Sequence, residues 1–189
     1  FRPFEPDIEV SGLALPSIVD GFAVLKSIPT RTMVDQGLGH IDEHGDWVLD
    51  RRAWYPQGAW LAALEALYVR VGEGALFQIG QKIPANAAFP PWVKDIHSAI
   101  RAVNVAYHAN HRKRGIPMFD KVSATFQSGI GSYGYQATPG RNEILVECHL
   151  PYPSAYARGV LTTMARKFES LATVELLDPS AEAKQSTHF

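Results

Sequence analysis

The sequence predicts an α+β domain, with N-terminal helices packed on a small antiparallel sheet and a hairpin followed by a helix near the C-terminus. Three observations predict it. Apolar residues recur with the 3.6-residue period of amphipathic helices up to about residue 115. Beyond residue 120 the period changes to strand-like alternation around a Pro-Gly turn. No regular β-α-β alternation occurs, which sets aside a doubly wound nucleotide-binding fold. A chain of 189 residues can bury one full core. Without an internal repeat, a low-complexity segment or a linker, it divides into an extended arm over 1–10 and a single domain over 11–189.

Each element has a local reason. FRPFEPDIEV is Pro-rich and without helical period, hence the arm. Pro16 is placed to open a short helix that Pro29 stops, and TRTMVDQGLG to form a second, capped by Gly37 or Gly39. HIDEHGDWVLDRR is polar and punctuated by glycine, a loop. Trp60, Leu61, Leu64, Leu67, Tyr68 and Val71 then mark one face of a helix with Pro56 at its first turn and Gly72 or Gly74 at its end. EGALFQIGQKIPANAAF gives a short helix ending before Pro84. Pro90-Pro91 introduces the longest helical run, PWVKDIHSAIRAVNVAYHANHRKRG, closed by Gly115 and Pro117.

In the second half, Thr138-Pro139-Gly140-Arg141 suits a type II turn between two strands, with Gly140 supplying the positive φ. Ile144, Val146, Cys148 and Leu150 share one strand face, so Cys148 points inward. Gly129, Gly131 and Gly134 sit in a strand-like stretch as bulge or close-packing positions. Ser154 is placed to cap a helix whose stripe is Tyr156, Val160, Met164 and Phe168. ATVELLD reads as a further strand, and KQSTHF as the start of a last one.

Composition limits the function classes. Hydrophobic residues make up 46% and charged residues 20%, the profile of a soluble globular domain. A net charge of −1 offers no footprint for nucleic acid, since Arg112, Lys113 and Arg114 form only a local patch. No apolar run approaches the roughly 20 residues of a membrane span. One cysteine excludes an intrachain disulfide and a Cys-based zinc cage, which suits a reducing, cytoplasmic setting. The chain opens on Phe1 rather than methionine, as expected of a trimmed or processed piece.

The candidate chemistry lies in histidines and tyrosines. At about 100° per residue, Ile96, Ile100, Val103 and Tyr107 form the core face of the long helix, with Trp92, Ala99 and Ala106 beside them. His97, Arg101, Asn104, His108 and His111 fall together on a polar stripe expected to meet water or a partner. His108 and His111, at i and i+3, are close enough to share a metal, but no carboxylate flanks them. HIDEH matches H-x-x-E-H formally, within a glycine-bracketed stretch unsuited to a helix. His149 follows Cys148 and points to the opposite strand face, so no thiol–imidazole pair forms. Trp54, Tyr55, Trp60, Tyr107, Tyr133, Tyr135, Tyr152 and Tyr156 are an aromatic grouping able to wall an apolar ligand while offering polar tips.

AWYPQGAWLAALEAL, LFQIGQKIPANAAFPP, VAYHANHR, IGSYGY and PYPSAYARGVLTTMARKF, taken in order over residues 53–168, resemble an uncharacterised group of prokaryotic proteins. That group is distantly similar to the 4-vinyl-reductase-type and haem-NO-binding-type ligand-binding fold, which vesicle-tethering adaptor subunits share. The sequence departs from it in two places. Residues 183–189 lack the cysteines with which the group ends, and Tyr152-Pro153-Ser154-Ala155-Tyr156 lacks the last-position arginine of the haem-binding motif. Neither a thiol-dependent metal site nor haem binding is therefore carried over, and no cofactor is assigned.

The resemblance implies a module, homodimeric or a subunit of a larger assembly, that holds a small apolar or tetrapyrrole-like molecule or a protein partner between its helices and sheet; it does not imply turnover. Trp60, Tyr107, Tyr133 and Tyr135 are the expected wall residues, and His108, His111 and Arg158 the polar anchors. The alternatives are a structural or adaptor subunit and, third, a histidine-dependent metalloenzyme at HIDEH or HANH.

Overall fold

The computed structural model describes residues 1–22, 26–85, 87–177 and 186–189 and has the expected α+β architecture. Strand β1 (Ile8–Ser11) leads into α1 (Pro16–Asp20) and α2 (Ser27–Asp35), then the hairpin β2 (His40–Ile41) and β3 (Trp47–Val48). Strand β4 (Trp54–Pro56) runs into α3 (Gln57–Val71), followed by α4 (Glu73–Ala85) and α5 (Ile96–Ala109). Short strands come next: β5 (His111–Lys113), β6 (Ile116–Pro117), β7 (Phe119–Asp120), β8 (Thr125–Phe126) and β9 (Ser132–Tyr133). The hairpin β10 (Gln136–Ala137) and β11 (Ile144–Leu145), then β12 (Glu147–His149), α6 (Ser154–Arg166) and β13 (Ser186–His188) complete the order. All pairings are antiparallel; the larger sheets run β4-β1-β5-β6 and β13-β12-β9.

Several local expectations are corrected. Residues 8–10 of the expected arm belong to β1, an inner strand with Ile8 and Val10 buried. Three cross-strand ion pairs hold that segment to β5 and its turn: Arg112 to Glu9, Lys113 to Glu5, Arg114 to Asp7. The local basic patch is thereby neutralised pair by pair. Pro29 lies in the first turn of α2, where a missing N–H costs no helical bond, so it does not stop a helix. Pro84 likewise falls inside α4, in its last turn. Pro153 rather than Ser154 is the N-cap of α6. The described part of ATVELLD, residues 172–177, forms no strand; Val174 and Leu176 pack against the core as coil, and Asp178 lies outside the described residues. KQSTHF does supply β13, although Lys184 and Gln185 lie outside the described residues.

The long helix is shorter than its apolar period suggests. It starts at Ile96, where the Asp95 side chain accepts from Ser98 N–H and the Ser98 hydroxyl accepts from Asp95 N–H, a capping box. It ends at Ala109. His111–Lys113 then turn back as β5, and Arg114 and Gly115, both at positive φ, make the two-residue turn into β6. The Thr138–Arg141 turn matches its expectation: Arg141 N–H donates to Thr138 O, and Gly140 has a φ of 76°.

Helices α4 and α6 pack backbone against backbone. A Cβ on Gly80 would meet the Tyr156 carbonyl well inside van der Waals contact, and one on Gly159 would do the same to the Phe77 carbonyl. Two glycines facing opposite helices let the axes approach unusually closely. This contact carries Tyr156 and Val160 of α6 into position beside α5.

Candidate functional site

A cavity of about 910 Å³ lies between α5, α6, β1 and the segment joining α4 to α5. Pockets that hold drug-sized ligands measure ~300–1,000 Å³, so the space suffices for one such molecule. Its inner wall is aromatic: Trp60 from α3, Tyr107 from α5, Tyr133 from β9, Tyr152, and Tyr156 from α6. Tyr152 stacks on Tyr156 with centroids 5.2 Å apart, and Tyr107 meets Tyr133 and Tyr152 edge to face. Ala102 and Val103 continue the wall along α5, while Phe89 and Trp92 border it from the α4–α5 segment. Trp92 is 47% exposed and Ala106 is also exposed, so these two residues, expected beside the core face, instead stand at the rim.

A hydrogen-bond chain fixes this wall. His111 Nδ1 lies 2.7 Å from the Tyr107 carbonyl and Nε2 lies 2.9 Å from the Tyr152 hydroxyl. A carbonyl can only accept, so Nδ1 carries the proton and Nε2 accepts from Tyr152. The Gln57 side-chain N–H in turn donates to Tyr152 Oη at 3.2 Å. Tyr107 is held at both ends, because its hydroxyl donates to the Ile130 carbonyl. The opposite end of Gln57 is different: its buried Oε1 has no hydrogen-bond partner among the described residues. A fully buried unpaired carbonyl is costly, and it is the one such side-chain atom described.

The wall carries no charge at neutral pH. Burial pushes the His111 imidazole down to about 4, against the weaker opposing effect of its bond to the Tyr107 carbonyl. Burial likewise holds the phenols of Tyr107, Tyr133, Tyr152 and Tyr156 above their ordinary value. These hydroxyls are therefore neutral groups that can both donate and accept. Cys148 is buried on β12, and burial pushes its thiol up, which disfavours the thiolate.

Of the seven residues expected at the site, Trp60, Tyr107, His111 and Tyr133 line the cavity together. His108, Tyr135 and Arg158 do not. His108 bonds the Asn104 carbonyl through Nδ1 and is covered by Phe126, 4.7 Å away between ring centroids. Tyr135 Oη lies 2.8 Å from His97 Nδ1, outside the cavity and beneath the Arg101 guanidinium. Arg158 lies over Phe77 and pairs with Glu73.

The polar stripe is corrected with them. His108 and His111 are each only 3% exposed, because the β7–β8 hairpin covers one and the other has left the helix for β5. The wet part of the stripe is His97 and Arg101 alone. Tyr152 and Tyr156 belong to the aromatic grouping but not to the expected wall, and Gln57 carries no sequence signal at all.

Metal chemistry finds no donor set here. His108 and His111 are committed to different partners, and HIDEH forms the exposed β2–β3 hairpin, whose turn is held by Asp42 accepting from His44 and Asp46 N–H. Among the described residues, no group of three or more His, Cys, Asp or Glu side chains is placed to hold a metal ion. No helix there is long and apolar enough to cross a membrane. No known protein family, curated protein or solved structure matches the chain.

Proposed function

We propose that the protein is a non-enzymatic small-molecule-binding module whose ligand sits in the aromatic cavity between α5 and α6. The observation that carries this is the cavity itself: about 910 Å³, open at its mouth, with an inner wall of neutral aromatic side chains. The wall suits a largely apolar, ring-bearing guest that can exchange hydrogen bonds with phenols. No group in it is activated for catalysis, since its histidine accepts from Tyr152 and its phenols are held protonated.

N-phenylnaphthylamine, a neutral apolar fluorophore, is the test probe. It is expected to bind with saturable fluorescence enhancement at one site per chain. Ala106→Trp, placed on an exposed lining position, should weaken binding by about tenfold or more while leaving the unfolding midpoint unchanged. Absence of saturable binding, or unchanged affinity in the folded Ala106→Trp protein, would count against the proposal.

A further inference from the structure

We infer that the ligand is an amphipathic anion that enters body first, its carboxylate or sulfonate held at the rim by Arg51 and Lys121. This rests on the cavity being a binding site. Both cations line it, both are exposed, and neither makes an ion pair or side-chain hydrogen bond among the described residues. Five basic side chains elsewhere, Arg112, Lys113, Arg114, Arg141 and Arg158, pair with carboxylates and do not line the cavity. The acidic residue lining the same cavity, Asp20, has a partner of its own.

The depth of the charges sets the orientation. No cation reaches the inner wall, where His111 is neutral and the remaining polar groups are phenols. An anionic group driven to that depth would lose its hydration without a counter-charge, which is strongly unfavourable. At the mouth, two unpaired cations beside low-dielectric walls concentrate positive potential while leaving the head partly solvated. An apolar ring system inside and an anion outside satisfies both ends.

A matched pair of probes tests this. N-phenylnaphthylamine and anilinonaphthalene sulfonate share one body and differ by the sulfonate. The sulfonate is expected to bind about tenfold tighter at low salt, and the preference should fall to about threefold or less in Arg51→Gln/Lys121→Gln. It should persist in Arg70→Gln, which removes an exposed charge from a residue that does not line the cavity. If the neutral probe binds and the sulfonate shows no preference, or the preference survives in the double variant, this inference falls and the cavity proposal stands. If neither probe binds, both fall.

Discussion

Gly80→Ala and Gly159→Ala are each expected to lower stability by about 3 kcal/mol, measured by urea denaturation. A methyl group at Gly80 has nowhere to go, because the Tyr156 carbonyl already occupies its space. At Gly159 the obstacles are the Phe77 carbonyl and the Gln81 amide nitrogen, the latter 3.0 Å away. These are backbone atoms of the facing helix, so no rotamer change relieves the contact and α4 and α6 must separate. Separation opens the packing of Leu76, Ile79, Val160 and Leu161 and displaces Tyr156 from the cavity wall. A loss of this size is a large part of the ~5–15 kcal/mol typical of a domain. The two changes should be less than additive together, since helices parted for one methyl already have room for the other. Gly74→Ala is the contrasting case: in the first turn of α4, with nothing within 4 Å and no positive φ, it should be neutral or slightly stabilising.

Acidification should destabilise the fold through His111. Its folded value of about 4 lies below the ordinary 6.5 it regains on unfolding, so between these values the unfolded chain binds a proton that the native chain does not. Stability is therefore complete above pH 6.5 and falls as pH drops towards 4, by up to about 3 kcal/mol across that window. His108, lowered in the same direction by burial, adds to the slope. Urea denaturation of His111→Gln at the same pH values isolates the contribution. Asp95 and Asp120, both held below the usual carboxylate range by hydrogen bonds, titrate alike in the two proteins. The variant should show a shallower fall; parallel curves would mean that His111 is not the buried neutral acceptor described.

Local signals placed most helices and the Pro139-Gly140 turn, because period, caps and positive φ are short-range properties. They failed where distant segments decide the environment. His108 occupies the polar side of α5, yet a hairpin beginning at Phe119 covers it. His111 shares the helical spacing, yet the chain has already turned at Asn110 into a strand paired with β1, which lies at the other end of the sequence. The tyrosines were visible as a group, but which of them share a wall depends on the crossing of α4 and α6. That crossing had a sequence signal, an isolated glycine within each of two helical runs, LFQIGQKI and SAYARGVL. The hydrogen-bond role of Gln57 had none, since a glutamine at a helix start is ordinary until Tyr152 is placed beside it.

A crystal structure grown with N-phenylnaphthylamine is the decisive test of ligand binding in the aromatic cavity. Density for the fluorophore is expected against Tyr107, Tyr133 and Tyr156, with the Gln57–Tyr152–His111 chain intact. A cavity closed by rearranged side chains, or a probe bound only on the outer surface, would contradict it.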